Sequence, residues 1–141
     1  MRYLGLDLGT KTLGISISDE TLTIASALTV IHFQDNDYEQ TREPLTKIID
    51  EYKVSKIILG LPKNMNNSIG FRGEATLAYK SLLDSWFDID IIMQDERLTT
   101  VEANNYMLEA DISRKKRKKR IDALAANIIL QTYLDKEKRK G

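Results

Sequence analysis

Residues 3–18 read YLGLDLGTKTLGISIS, and this stretch decides the fold class. Residues 3–8 form a mostly apolar run that predicts a buried strand, interrupted only by the carboxylate of Asp7. Residues 13–19 alternate apolar and small polar side chains, which is the pattern of a second strand. Because a short glycine-containing turn separates the two runs, the sequence predicts a hairpin with Asp7 inside its first strand.

The remainder of the chain alternates between helical and extended patterns. Residues 23–33 are rich in threonine, valine and isoleucine and predict a third strand. The later patterns predict a helix over residues 45–52, a strand over 56–62, a helix over 71–86, a strand over 89–93, a helix from Thr99, a charged loop over 114–120 and a last helix over 121–136. This order predicts an α/β fold, in which a five-stranded mixed sheet (a three-strand meander and then parallel strands) carries helices on both faces.

The amino-acid composition excludes several classes of protein. The chain has 141 residues, 42% of them hydrophobic and 30% charged, which suits one globular domain over residues 1–141. It contains no cysteine, so disulfides and thiolate metal ligands are excluded. No apolar stretch approaches the roughly 18 residues of a membrane span, and Asp7 interrupts the apolar run that a signal peptide needs. We therefore expect a cytoplasmic protein with no membrane partner.

The net charge of zero hides an uneven distribution of charged residues. Residues 1–110 contain 10 lysines and arginines against 17 aspartates and glutamates, a balance of −7, whereas residues 111–141 contain 11 against 4, a balance of +7. Seven consecutive cations occupy residues 114–120. Like charges at this density repel each other, which favours a mobile loop, and binding to an anionic partner would offset the repulsion.

Acidic residues stand at three places where predicted strands or helices begin or end. Asp7 lies in the first strand, Asp95 and Glu96 follow the fifth, and Asp122 lies in the first turn of the last helix. The alanine pair at 125–126 would let that helix approach the sheet closely. Ligands usually bind at the carboxyl ends of parallel strands, which favours convergence of these acids. Each acid also has a structural explanation, as a hydrogen-bond acceptor, an ion-pair partner or a helix-start charge.

A cluster made only of carboxylates suits a hard divalent cation such as Mg²⁺ or Mn²⁺. Two such ions can activate a water molecule and stabilise the leaving oxygen in phosphodiester hydrolysis. Because adjacent strand residues point to opposite faces, only one of Asp95 and Glu96 is expected to face the ions.

Several cations are candidates for binding substrate phosphates. Lys11 follows the turn after the first strand, and Arg97 follows the acidic pair and could clamp a phosphate with two hydrogen bonds. The basic stretch adds Arg114, Lys115, Lys116 and Arg117. No aromatic residue interrupts that stretch, so recognition of the nucleic-acid backbone is a better expectation than base stacking. An exposed turn lysine, an ion-paired arginine and a solvated loop are the structural alternatives.

Four motifs resemble the YqgF-type (RuvX) family. They are GLDLGTKTLG at residues 5–14, GLP at 60–62, DERLTT at 95–100 and IDALAA at 121–126. Together they cover essentially the whole chain in the family's order, and DERLTT is the most specific. The resemblance implies a ribonuclease H-like fold and a nuclease, that is, a hydrolase acting on ester bonds. It would either mature the 5′ end of pre-16S ribosomal RNA in ribosome biogenesis or resolve Holliday junctions.

The resemblance also implies roles for the acidic residues. Asp7, Glu96 and Asp122 are the predicted metal ligands for Mg²⁺ or Mn²⁺, and Asp95 is a further catalytic candidate that could replace Glu96 as the ligand. The implied partner is a nucleic acid, either an RNA precursor or branched DNA. A resolvase is expected to work as a homodimer, whereas an enzyme that trims ribosomal RNA can work as a monomer.

Two other classes of function stay open at the level of sequence. The letters DLGT at residues 7–10 also open the phosphate loop of actin-like and sugar-kinase ATPases, but those proteins bind ATP between two lobes, and 141 residues supply only one. The other alternative is a nucleic-acid-binding assembly factor without a working active site.

Overall fold

Five strands form one mixed sheet in the computed structural model, which describes residues 1–35, 37–62, 70–95 and 114–140. The strands are β1 (Arg2–Leu8), β2 (Thr12–Ser18), β3 (Ala25–His32), β4 (Val54–Leu61) and β5 (Asp90–Asp95). Their spatial order is β3-β2-β1-β4-β5, with β1 antiparallel to β2 and parallel to β4, and β5 parallel to β4. The predicted fold class, a meander followed by parallel strands, is therefore confirmed.

Three α-helices and one short 3₁₀ helix belong to the described part of the chain. The 3₁₀ helix (Tyr38–Thr41) leads directly into α1 (Arg42–Tyr52), and α2 (Phe71–Trp86) and α3 (Arg114–Lys140) follow. Helix α1 ends at Tyr52, because the next residue, Lys53, has a left-handed backbone (φ 56°) that stops the helix immediately before β4. Within the described residues, no helix is both long and apolar enough to cross a membrane.

Helices cover both faces of the sheet, as predicted. Leu4, Leu6 and Leu8 of β1 belong to a buried cluster that includes Leu45 of α1 and Tyr79 of α2. A second buried cluster lies under α3 and joins Ile58 of β4 to Ile129, Leu130 and Leu134. Since side chains alternate along a strand, the odd-numbered positions of β1, including Asp7, lie on the α3 face.

The structure corrects one prediction about the basic stretch. The sequence predicts a loop over residues 114–120 before a helix over 121–136, but residues 114–120 belong to α3, which continues to Lys140. Lysine and arginine are good helix formers, and a helix already anchored by packing propagates at little cost. Repulsion between like charges on a helix costs only a few tenths of a kcal/mol per pair, roughly, which is too little to stop that propagation. The helix predicted from Thr99 and the loop predicted over 63–69 lie outside the described residues.

Candidate active site

The carboxyl ends of β1, β4 and β5 meet at one edge of the sheet. Asp7 is the next-to-last residue of β1, and Asp95 is the last residue of β5, where it pairs with Leu61 of β4. The two aspartates thus lie on the strands that flank β4. Because neighbouring strands lie about 4.8 Å apart, the backbones of Asp7 and Asp95 are about 10 Å apart.

Helix α3 crosses the face of β1 that carries Asp7, and the two run in opposite directions. Near the start of β1, the ring of Tyr3 meets the ring of Tyr133 edge to face, with centroids 6.2 Å apart. Two residues later, Gly5 lies directly below Ala126, because a Cβ added to Gly5 would lie 2.8 Å from the Ala126 carbonyl oxygen. Residues nearer the carboxyl end of β1 therefore lie under earlier turns of α3.

This geometry brings the backbones of Asp7 and Asp122 together. Asp7 is two residues beyond Gly5, an advance of about 6.6 Å along a strand. Asp122 is four residues before Ala126 on the same helical face, an advance of about 6 Å in the same direction. Because the two advances match, the turn of α3 that contains Asp122 lies over Asp7.

The helix approaches the sheet closely at this point. Ser16 of β2 donates a hydrogen bond of 2.7 Å from its buried hydroxyl to the carbonyl oxygen of Ala126. Ala125 and Ala126 are both buried, which confirms the prediction that small residues permit the approach. Gly5 supplies the matching space on β1, since any side chain there would collide with Ser16, Ala126 and Leu130.

Alternation along β5 separates Asp95 from Asp7. Ile91 and Met93 pack with the cluster under α1 and α2, whereas Ile92 packs with the cluster under α3. Asp95 follows Ile91 and Met93 in register and therefore lies on the α1 and α2 face, opposite Asp7. Glu96 and Arg97 lie outside the described residues.

Lys11 and the first residues of α3 lie on the side of the sheet where β1 ends. Lys11 is exposed in the turn after β1, and its carbonyl oxygen accepts a hydrogen bond of 2.9 Å from the N–H of Phe33. The first residues of α3 are Arg114, Lys115, Lys116 and Arg117. At 1.5 Å per residue, the helix places Arg114 about 12 Å beyond Asp122, on the side of the sheet's carboxyl edge.

Sequence reasoning missed Arg72 in this region. Its guanidinium Nη2 donates a hydrogen bond of 2.7 Å to the carbonyl oxygen of Leu8, the residue after Asp7. Arg72 lies in the first turn of α2, which follows the carboxyl end of β4. Its place at a helix start after a parallel strand was the available signal, because such helices begin at the ligand-binding edge of the sheet.

The donor set that the described residues supply to a metal is incomplete. Among the residues the structure describes, no group of three His, Cys, Asp or Glu side chains could hold an ion. Asp7 is the one predicted ligand whose side chain is described there. The carboxylate of Asp7 is nevertheless a suitable ligand for a hard cation, since Mg²⁺ and Mn²⁺ prefer carboxylate oxygens.

A carboxylate with a strongly lowered pKa belongs to a different part of the fold. The hydroxyl of Thr21 and the main-chain N–H groups of Thr23 and Ile24 donate hydrogen bonds to Asp19 and lower its pKa to about 2. Asp19 follows the last residue of β2, at the edge of the sheet opposite to Asp7. It therefore organises a turn and takes no part in the candidate site.

Comparisons with known proteins agree with this architecture. A protein of Geobacillus sp. (strain WCH70) named "Putative pre-16S rRNA nuclease" is 49% identical over 135 residues, covering 96% of this chain and 98% of its own. A protein of the same name from Staphylococcus haemolyticus is 53% identical and covers 95% of both chains. The structure of T. thermophilus RuvC in complex with a Holliday junction substrate matches with a TM-score of 0.61 at 13% identity, covering 97% of this chain and 96% of the other, and so supports the ribonuclease H-like fold.

The family profile described as "RuvX: Holliday junction resolvase" matches residues 1–136. That match takes in the hairpin with Asp7, the acidic pair at residues 95–96 and the part of α3 that lies over β1. It favours the nuclease interpretation over an ATPase lobe. The chain therefore belongs to the RuvX (YqgF) family of nucleases.

Proposed function

We propose that this protein is a divalent-metal-dependent nuclease that hydrolyses phosphodiester bonds in structured RNA, processing the 5′ end of pre-16S ribosomal RNA. The observation that supports the proposal is the close passage of α3 over β1, where Ala126 of α3, one helical turn after Asp122, lies against Gly5 of β1, two residues before Asp7. The names of relatives that match over nearly their whole length support the choice of substrate. A cytoplasmic location and a single catalytic domain over residues 1–141 accompany this proposal.

Asp7, Glu96 and Asp122 are the proposed ligands of Mg²⁺ or Mn²⁺. Asp7 and the α3 turn with Asp122 share one face of the sheet, whereas Asp95 lies on the other face, which favours Glu96 as the third ligand. When bound, the ions would supply a positive charge to stabilise the oxygens that attack and leave the phosphorus. The protein's own contribution is to hold the three carboxylates in place and to exclude ligands other than oxygen.

The cations bind and orient the substrate in this proposal. Lys11 and Arg97 contact phosphates next to the cleaved bond, and the first turns of α3 contact the flanking backbone. Such contacts release counterions and supply affinity without reading the base sequence.

A resolvase of branched DNA is the second candidate function. The family's description and the fold of RuvC favour it, and such an enzyme would need two copies of this chain to cut two strands. A single copy is enough to trim one RNA end. The oligomeric state of the purified protein, measured by sedimentation, therefore bears on the choice between the two substrates.

The test is a cleavage assay with labelled pre-16S ribosomal RNA and, in parallel, a synthetic four-way DNA junction. Each substrate is incubated with Mg²⁺, with Mn²⁺ and with EDTA, using the wild type, Asp7→Asn and the matched control Asp19→Asn. We expect metal-dependent cutting of the RNA that Asp7→Asn abolishes and Asp19→Asn retains. Cutting of the junction alone would establish the resolvase instead. Binding without cutting of either substrate would favour the assembly factor and refute the enzymatic proposal.

A further inference from the structure

Two buried serines lie on the α3 face of β2, and they differ in what they bind. Ser16 is fully buried, and its hydroxyl donates 2.7 Å to the Ala126 carbonyl oxygen of α3. Ser18 is 1% exposed, and its hydroxyl oxygen accepts a hydrogen bond of 2.8 Å from the N–H of Tyr3 in β1. Only the first of these bonds crosses from the sheet to the helix.

The bond from Ser16 is made where α3 is closest to β1. The Ala126 carbonyl that accepts it is also the atom 2.8 Å from the position of a Cβ on Gly5, and the Ser16 oxygen itself would be 2.3 Å from that Cβ. Ser16 therefore attracts the helix at the spot where Gly5 removes the obstacle to its approach. The two residues together permit the close approach of α3 to the sheet at this spot.

This spot lies one helical turn from Asp122. An aliphatic contact would allow the helix to slide along its axis, because dispersion forces have no direction. A hydrogen bond fixes the acceptor to within a few tenths of an ångström in both height and register. Because Ala126 and Asp122 are four residues apart on one rigid turn, fixing the first also fixes the backbone of the second.

We propose that Ser16 is a positioning residue, which holds α3 in the register that sets Asp122 against Asp7. The inference rests on the proposed function, since it assigns Ser16 a part in assembling the metal-binding carboxylates. Ser16 does not touch the metal or the substrate. Removing its hydroxyl should weaken metal binding by the factor typical of a lost supporting contact, about tenfold or more.

The experiment compares Ser16→Ala with Ser18→Ala, each of which removes one buried serine hydroxyl from the same face of the same strand. Titration of Mn²⁺ into the nucleic-acid-free protein gives the dissociation constant by calorimetry. We expect Ser16→Ala to raise it about tenfold or more and Ser18→Ala to leave it unchanged. In cleavage assays, Ser16→Ala should raise the Mn²⁺ concentration needed for half the maximal rate more than it lowers the rate at saturation.

Gly5→Ala is the second variant, because it displaces α3 by collision instead of by loss of the bond, and it should weaken Mn²⁺ binding as well. Equal Mn²⁺ affinity for Ser16→Ala, Ser18→Ala and wild type would overturn the proposal and leave Ser16 a packing residue. If wild type binds no Mn²⁺ through Asp7, the proposed function fails. Crystal structures of Ser16→Ala and Ser18→Ala then test whether Ser16 positions α3. A helix α3 in the wild-type position in Ser16→Ala would then refute it, and a shifted α3 in that variant alone would support it.

Discussion

Arg72 donates a hydrogen bond of 2.7 Å from its guanidinium to the carbonyl oxygen of Leu8, the last residue of β1. The bond joins the first turn of α2 to the strand that carries Asp7. Arg72→Ala should lower the free energy of unfolding by about 1.5 kcal/mol, the low end for a bond to a charged group, because the arginine is exposed. Urea denaturation measures the change.

The control for Arg72 is Lys47→Ala. Lys47 forms an ion pair with Glu43 of 3.6 Å whose side chains are 76% and 82% exposed, and exposed pairs contribute little to stability. Its urea midpoint should therefore stay near that of wild type. Equal midpoints for the two alanine variants would show that the Arg72 bond does not stabilise the fold.

Gly5→Ala should destabilise the protein more than Gly9→Ala. The added Cβ at Gly5 would meet three atoms at 2.3, 2.8 and 2.8 Å, one of them the main-chain oxygen of Ala126, whereas at Gly9 the nearest contact is the side-chain oxygen of Thr12 at 3.0 Å. Overpacking against backbone costs about 1–3 kcal/mol. Thermal and urea unfolding of the two variants give the ranking, and a larger loss for Gly9→Ala would contradict the close approach of α3.

The buried pair of Tyr79 and Thr41 offers a test of side-chain coupling. Their hydroxyls lie 2.7 Å apart, and both residues are fully buried. Tyr79→Phe and Thr41→Val should each lower the free energy of unfolding by about 1 kcal/mol, and the double variant should lose less than the sum, because one hydrogen bond is removed only once. Additive losses in the double-mutant cycle would show that the bond contributes nothing.

The same pair predicts how stability changes in alkali. Burial raises the pKa of Tyr79 well above its usual range. A group with a raised pKa in the folded state stabilises the protein fully below its unfolded pKa, about 10 for tyrosine, and the contribution is lost as the pH rises further. The unfolding free energy of wild type should therefore fall more steeply above pH 10 than that of Tyr79→Phe. Equal slopes of unfolding free energy against pH for the two proteins would contradict this prediction.

The sequence predicts the fold well because the decisive patterns are local. Alternation in β2 and the apolar runs of β1 and β4 can be seen within a few residues, and chain order then restricts the sheet to few arrangements. The prediction of a loop at the basic stretch is wrong because helix propagation outweighs the repulsion between its like charges. That error concerns a balance of small energies, which a pattern of residues does not reveal.

Contacts between distant segments could not be predicted in the same way. Arg72 reaches Leu8 across 64 residues, and Ser16 reaches Ala126 across 110. The helix start marks Arg72 as a residue at the ligand-binding edge, but the sequence identifies the partner of neither residue, because each donates to a carbonyl oxygen that any residue could supply. The opposite faces of Asp7 and Asp95 likewise became known only when the packing of Ile92 and Met93 defined the faces of β5.

Asp19 predicts a change of stability in acid. Its pKa of about 2 in the folded state is below the ordinary value of 3.8, so its hydrogen bonds stabilise the fold above the unfolded pKa and are lost as the pH falls toward 2. Wild type should exceed Asp19→Asn in melting temperature at neutral pH, and the difference should shrink between pH 4 and pH 2, roughly. A difference that stays constant over this range would exclude the ionised carboxylate as its source.

The basic start of α3 predicts the salt dependence of nucleic-acid binding. Replacing Lys115, Lys116 and Lys118 with alanine keeps the helix, since alanine is the best helix former, but removes three cations. The slope of log K against log salt should fall in magnitude by about 2 for single-stranded RNA, at about 0.7 per phosphate contact. Fluorescence anisotropy at several salt concentrations measures the slope.

The matched control replaces Lys136, Lys138 and Lys140 at the other end of the same helix, which lies about 30 Å from Lys116 at 1.5 Å per residue and should leave the slope unchanged. Equal slopes for the two triple variants would show that the protein's total charge attracts the RNA and that the position of the lysines along α3 does not matter.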